Sequence, residues 1–314
     1  MFCKLFCLFA VFSFFVTTNA EASQAEINQL MAGLYRSGTA EDQNSRQLFW
    51  KTEGENAKVY LFGSMHFGMA EFYPFNDEIE SAFRNSEYLV VEVNTMCETF
   101  MPEVVKHMRD GFLPPGVTLK DKLSPEVYEM LARSMSDMGL DIERFSNYKP
   151  WLMSLTLSSL KIQALGYSAE MGVENYFFNL LEERTVLELE SVETQMKNLA
   201  LLDGEELLAY TIVSDSEMKK MLDEMTRAWM SGDSLALTEI VLQDYSDEIP
   251  GYELIYESMI KERNRDMTQK IAELLGTEGT YFVVVGAGHF LGPDSIIEML
   301  LEEGLEVNRV TVVQ

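Results

Sequence analysis

Two stretches of the chain share one hydrophobic pattern. Lys58–Phe62 (K-V-Y-L-F) and Tyr281–Val285 (Y-F-V-V-V) are short runs rich in β-branched and aromatic residues. Each leads into Gly-x-x-His, Gly63–His66 in one case and Gly286–His289 in the other. Short apolar runs bounded by glycine predict buried strands. Downstream of the first, Phe75–Arg84 sets Phe75, Ile79, Ala82 and Phe83 on one helical face, and Tyr88–Val93 (Y-L-V-V-E-V) reads as another buried strand. This β-loop-α-β succession of about 35 residues is the size of a crossover unit with parallel strands.

Elsewhere the pattern is mostly helical. Glu21–Arg46 predicts a short helix and a polar loop, Gln47–Trp50 a first strand, and Thr52–Asn56 a turn. From Met101 the helical period dominates, broken at Leu113-Pro-Pro-Gly116 and restarted at Ser124-Pro125, an N-cap followed by proline at the first helical position. Helices are expected over Trp151–Leu165, Gly172–Glu183, Val192–Met230 (with breaks at Gly204 and Ser214-Asp215), Leu235–Leu242 and Tyr252–Leu275. Thr185–Leu189 interrupts them as a short strand. The chain closes with helix Ser295–Glu302, a Gly304 cap and strand Leu305–Val313. Strands thus gather at the two ends. The expected fold is α/β: a central, mostly parallel sheet built from the N- and C-terminal segments, with a large helical section over roughly 101–275 packed on it. Residues 23–314 are read as one domain.

Composition adds a compartment and removes some partners. Lys4 and the apolar run Leu5–Val16, followed by small residues at Ala20 and Ala22, have the form of a signal peptide over residues 1–22. The run is short for a bilayer core of about 20 residues, and no later stretch is long enough to span one. Cleavage would remove Cys3 and Cys7 and leave Cys97 as the one thiol, so no intrachain disulfide is expected. The chain carries 24 Lys+Arg against 51 Asp+Glu, and loss of Lys4 and Glu21 makes the mature balance 23 − 50 = −27. That excludes a basic surface for nucleic acid or anionic lipid and suits an exported, periplasmic or secreted protein. The 20 methionines, many in the helical middle, are read as core packing.

The candidate chemistry lies at strand ends, where open α/β sheets bind ligands. Of three histidines, His66 and His289 follow strands and His107 does not; His107 is read as a helix residue. Glu92 stands in a strand apolar on both sides, where a carboxylate is costly unless paired, bonded or on a metal. Two histidines and a glutamate fit a three-ligand site with an open position, as for Zn and comparable Mn or Co centres. They equally fit a metal-free site in which Glu92 and a histidine activate water. Capture of a peptide, a small ligand or haem in the same cleft is a non-catalytic alternative. Arg263, in Arg263-Asn264-Arg265, is a candidate for holding a carboxylate or an oxyanion, whereas Arg265 suits the helix surface beside Glu262 or Asp266. Glu174 and Glu190 are candidate supporting carboxylates. Neither H-E-x-x-H nor G-x-S-x-G occurs, which argues against a zincin and a serine hydrolase.

V-Y-L-F-G-S-M-H-F-G-M-A-E-F-Y-P-F, Y-L-V-V-E-V-N, L-E-L-E-S-V-E-T-Q, E-R-N-R-D-M and V-V-V-G-A-G-H-F-L-G-P-D-S-I-I-E-M-L run in order across the chain. Together they resemble the TraB/GumN family, which includes the Tiki-type proteases. The resemblance implies a compact α/β fold similar to erythromycin-esterase and ChaN-like proteins. It also implies an active site at His66, Glu92 and His289, with Arg263 and Asn264 matching the family's Arg-Asn motif. Asn94 stands where many members carry Asp. For Tiki-type members it implies metal-dependent peptidase activity with Mn or Co, and hence a peptide or small-molecule substrate here.

Overall fold

The structure is a computed structural model that describes residues 47–242 and 252–310. The expected signal peptide and the helix expected over Glu21–Arg46 lie outside these residues. The strands are β1 (Phe49–Glu53), β2 (Ala57–Ser64), β3 (Tyr88–Val91), β4 (Thr185–Glu188), β5 (Gly279–Gly286) and β6 (Val307–Arg309). They form one sheet in the order β4-β3-β5-β2-β1-β6. The four strands β4, β3, β5 and β2 are parallel, and β1 and β6 add an antiparallel edge.

The C-terminal strand β5 slots between the two strands of the N-terminal β-loop-α-β unit. On one side Ser64 of β2 pairs with Gly286, and on the other Val91 of β3 pairs with Val284. β5 becomes the centre because its sequence is apolar on both faces, and Tyr281–Gly286 are all buried. The antiparallel hairpin β1–β2 pairs Thr52 with Val59, so β1 runs to Glu53 and the turn shrinks to Gly54–Asn56. Cross-strand pairing, which hydropathy does not report, sets that end.

The helices are α1 (Asp77–Arg84), α2 (Phe100–Met108), α3 (Pro125–Asp137), α4 (Pro150–Ala164), α5 (Val173–Asn179) and α6 (Val192–Ala200), then α7 (Glu205–Thr211), α8 (Asp215–Ser231), α9 (Ser234–Val241), α10 (Tyr252–Tyr256), α11 (Arg263–Leu275) and α12 (Ile296–Glu302). A π-helical stretch, Glu257–Glu262, joins α10 to α11. Ser124 caps α3 through Val127 N–H, and Ser214 and Glu217 form a capping box on α8. α4 is apolar nearly all round and is buried accordingly. One face of the sheet packs an aromatic cluster. Phe62 lies 5.1 Å from Phe75, Phe177 lies 4.8 Å from Phe282, and Trp229 of α8 closes over Phe72 at 5.0 Å. A second, smaller core joins α3, α4 and α7 through Leu131, Met153, Leu157 and Leu208.

Candidate active site

Three adjacent parallel strands, β3, β5 and β2, end on the same edge of the sheet. Neighbouring strands stand about 4.8 Å apart, so residues just past their ends share one small volume. His66 follows β2, Glu92 follows β3 and His289 follows β5. All three are buried, at 5%, 4% and 0% exposure. The two halves of the chain therefore bring both imidazoles to one carboxylate. Glycine permits the approach: a Cβ on Gly286 would stand 3.1 Å from His66 Nε2 and 3.2 Å from Glu92 Oε1.

Each ring is fixed through Nδ1. His66 Nδ1 lies 2.8 Å from Glu174 Oε1, and the Ser64 hydroxyl donates to the same oxygen. A carboxylate accepts, so His66 carries its proton on Nδ1. His289 Nδ1 lies 2.5 Å from Asn264 Oδ1, while Asn264 Nδ2 donates to the Asp294 carbonyl at 2.6 Å. That bond fixes the amide orientation, so Nδ1 of His289 is also the protonated nitrogen. His289 Nε2 is buried with no hydrogen-bond partner and lies 4.0 Å from Glu92 Oε1. Burial, the Arg263 guanidinium and His66 hold His289 well below the usual imidazole range, so it is neutral.

Glu92 is held at both oxygens. Gly286 N–H donates to Oε1 at 2.7 Å, whereas Arg263 Nη2 (2.7 Å) and Gln195 Nε2 (3.0 Å) donate to Oε2. Burial raises its pKa, an effect countered in part by Arg263 and His66 and reinforced by Glu190. Arg263 also grips Glu190 with Nε (2.6 Å) and Nη2 (2.8 Å). Burial opposes the charge on Arg263, but Glu190 and Glu92 outweigh it. Burial likewise pushes Glu174 up, yet the pull of His66 and the bonds from His66 and Ser64 bring it below the ordinary carboxylate value.

Two imidazoles and a carboxylate are donor types that bind divalent cations. Glu92 and Glu190 flank the Arg263 guanidinium, and Glu174 lies against His66. His289 Nε2 lies near Glu92, and each imidazole is oriented by an oxygen on its other nitrogen, as metal-bound histidines are. Among the described residues no group of three or more His, Cys, Asp or Glu side chains stands close enough together to hold a metal ion. The 4.0 Å gap between His289 Nε2 and Glu92 Oε1 would have to narrow around an ion.

The remaining candidates fall elsewhere. Arg265 is exposed and lies 3.8 Å from Glu257. His107 lies on α2, 3.5 Å from Glu103, and half-buried Cys97 meets Thr99 at 3.3 Å. Asn94 braces its own loop by accepting Met96 N–H. Gln195 of α6 joins Glu92 to Glu190, and nothing in its local sequence marks it.

Comparison with known proteins bears on this arrangement. The TraB/PrgY/gumN family description matches residues 48–309, which include every residue of the cluster. The chain belongs to the TraB/PrgY/gumN family. Among family relatives, an uncharacterized protein of Treponema pallidum is 25% identical over 276 residues, covering 83% of this chain and 82% of its own. The uncharacterized protein YbaP of Escherichia coli is 25% identical over 251 residues, covering 78% of this chain and 88% of its own. A metalloprotease TIKI homolog of Amphimedon queenslandica is 24% identical over 336 aligned positions, covering 90% of this chain and 64% of its own. No solved structure matches the chain.

Proposed function

We propose that this TraB/PrgY/gumN member is an exported, metal-dependent hydrolase acting on peptide bonds, with His66, Glu92 and His289 as the residues that hold the cation. One observation carries the reading. Two imidazoles, each with Nδ1 tied to an oxygen, gather with one buried carboxylate, Glu92, at the ends of three adjacent strands. The likeness to TIKI metalloproteases supports it. Mn or Co is the expected ion, with Zn an alternative. When bound, such an ion supplies Lewis acidity for a carbonyl and lowers the pKa of a water. Arg263 and Gln195 occupy Glu92 Oε2, so Oε1 is the oxygen that would serve as third ligand or, in place of that, as general base. Glu174 and Asn264 keep both rings in the tautomer that presents Nε2. The acidic chain suits a peptide or small-molecule substrate and no nucleic acid. Among the described residues no helix is long and apolar enough to cross a membrane. The leader at residues 1–22 predicts a mature N-terminus after Ala20 or Ala22, which N-terminal sequencing of exported protein checks.

The test is elemental analysis of protein purified with Mn, with His66→Ala and His289→Ala beside it. Stoichiometric metal in the native chain, lost in both variants, is expected. No retained metal, together with hydrolysis indifferent to chelator, overturns the reading. That outcome would instead support metal-free water activation, for which the gap between His289 Nε2 and Glu92 Oε1 leaves room.

A further inference from the structure

We infer that the apolar cavity beside His66 receives a small aliphatic side chain of the substrate. The inference rests on the hydrolase reading and adds to it a class of substrate. The cavity lies between the two Gly-x-x-His loops and the α8–α9 pair. Met65 and His66 border it from one loop, Ala287 and Gly288 from the other, and Met225, Trp229, Leu237 and Val241 from the helices. Its location against His66 gives it meaning.

Three side-chain polar atoms of the residues around the cavity already have partners. Ser64 Oγ and His66 Nδ1 both meet Glu174 Oε1, and Trp229 Nε1 donates to the Gly63 carbonyl at 2.8 Å. What remains facing the space is methyl, methylene and ring surface. A charged or amide side chain placed there would lose its hydration with nothing in return. The cavity measures about 20 Å³, about the room of one water molecule. That holds an alanyl methyl as it stands and not an aromatic ring. Met65 and Met225 are unbranched and adaptable, so the two further carbons of a valyl side chain can be taken in by rotamer change.

The experiment uses the full mature chain loaded with Mn²⁺ and a set of blocked peptides that differ only at the residue flanking the scissile bond. The native chain is expected to cleave the Val peptide at least about tenfold faster than the Phe peptide, the discrimination a hydrophobic pocket achieves. Met225→Ala enlarges the space and should narrow or reverse that ratio. Val241→Phe fills it and should slow the Val peptide about tenfold or more while the Gly peptide is spared. Cleavage whose side-chain preference is the same in all three proteins overturns the inference and leaves the hydrolase reading standing. Absence of any cleavage sinks the hydrolase reading, and the cavity is then judged by binding. With ¹³C-methyl methionine, N-acetyl-valinamide should shift the Met65 and Met225 resonances, and Val241→Phe should abolish the shift. No shift, or an equal shift with N-acetyl-aspartamide, overturns the inference independently of turnover.

Discussion

Arg263 is the one cation between Glu92 and Glu190, and its side chain is about as buried as theirs. Removing one member of a buried ion pair costs about 3–5 kcal/mol, because the partner is left charged and unpaired. Arg263→Met is therefore expected to lower unfolding free energy by about that much in urea titrations. Arg263→Lys should rescue little, since an ammonium cannot reproduce the fork that meets two carboxylates. His289 gives a pH dependence with a definite sign. Its folded pKa is depressed, so the unfolded chain takes the proton first. Its contribution is complete above about 6.5 and is lost as pH falls below that value. Glu92, with its raised pKa, runs the other way and returns part of the loss. Melting temperatures measured between about pH 7 and 5 should fall less steeply in His289→Gln than in the native chain; equal slopes would contradict a neutral buried ring. Glu92 was legible in sequence because a charge inside an apolar strand needs a reason. Gln195 was not, since a neutral amide in a polar helix signals nothing until its two carboxylate partners are known.

At the level of elements, most of the helix breaks were readable. Gly204 and Ser214-Asp215 divide α6, α7 and α8 as their turn and cap chemistry requires. The π-helical stretch was not readable, because hydropathy carries no trace of a change from one hydrogen-bond register to another. It leads directly into Arg263 and Asn264, neighbours in sequence that are both buried and reach different partners, Glu92 and His289. Local widening of this kind often accompanies functional residues. α8 is tied to the rim of the site by the Trp229 indole on Gly63 O. Trp229→Phe is expected to cost at least about 1 kcal/mol for that bond and to speed amide exchange over α8 and α9 relative to β5. Unchanged exchange would mean that packing alone holds the pair in place.

For the whole molecule, the parallel character of the sheet followed from the pattern, but the strand order did not. That both chain ends meet was implied by two matching motifs. That β5 enters between β2 and β3 depends on which pairing buries Tyr281–Gly286 on both faces, a comparison no single segment contains. The net charge of −27 makes the folded chain repel itself. Raising salt from about 0.01 to 0.1 M shortens the screening length from about 30 to 10 Å, and the melting temperature should rise in step. A flat response would mean that the acidic groups are already neutralised locally.

Gly286 offers a way to part chemistry from presence. Its backbone is one any residue adopts, so Gly286→Ala should fold and travel as the native chain does. The added methyl would press on an imidazole and a carboxylate that stand only a few tenths of an ångström too close for it. A cell given that single change would keep the protein in its usual place and amount while losing the proposed reaction. Any trait that survives the exchange belongs to the protein as a body, and any trait that vanishes belongs to what it transforms.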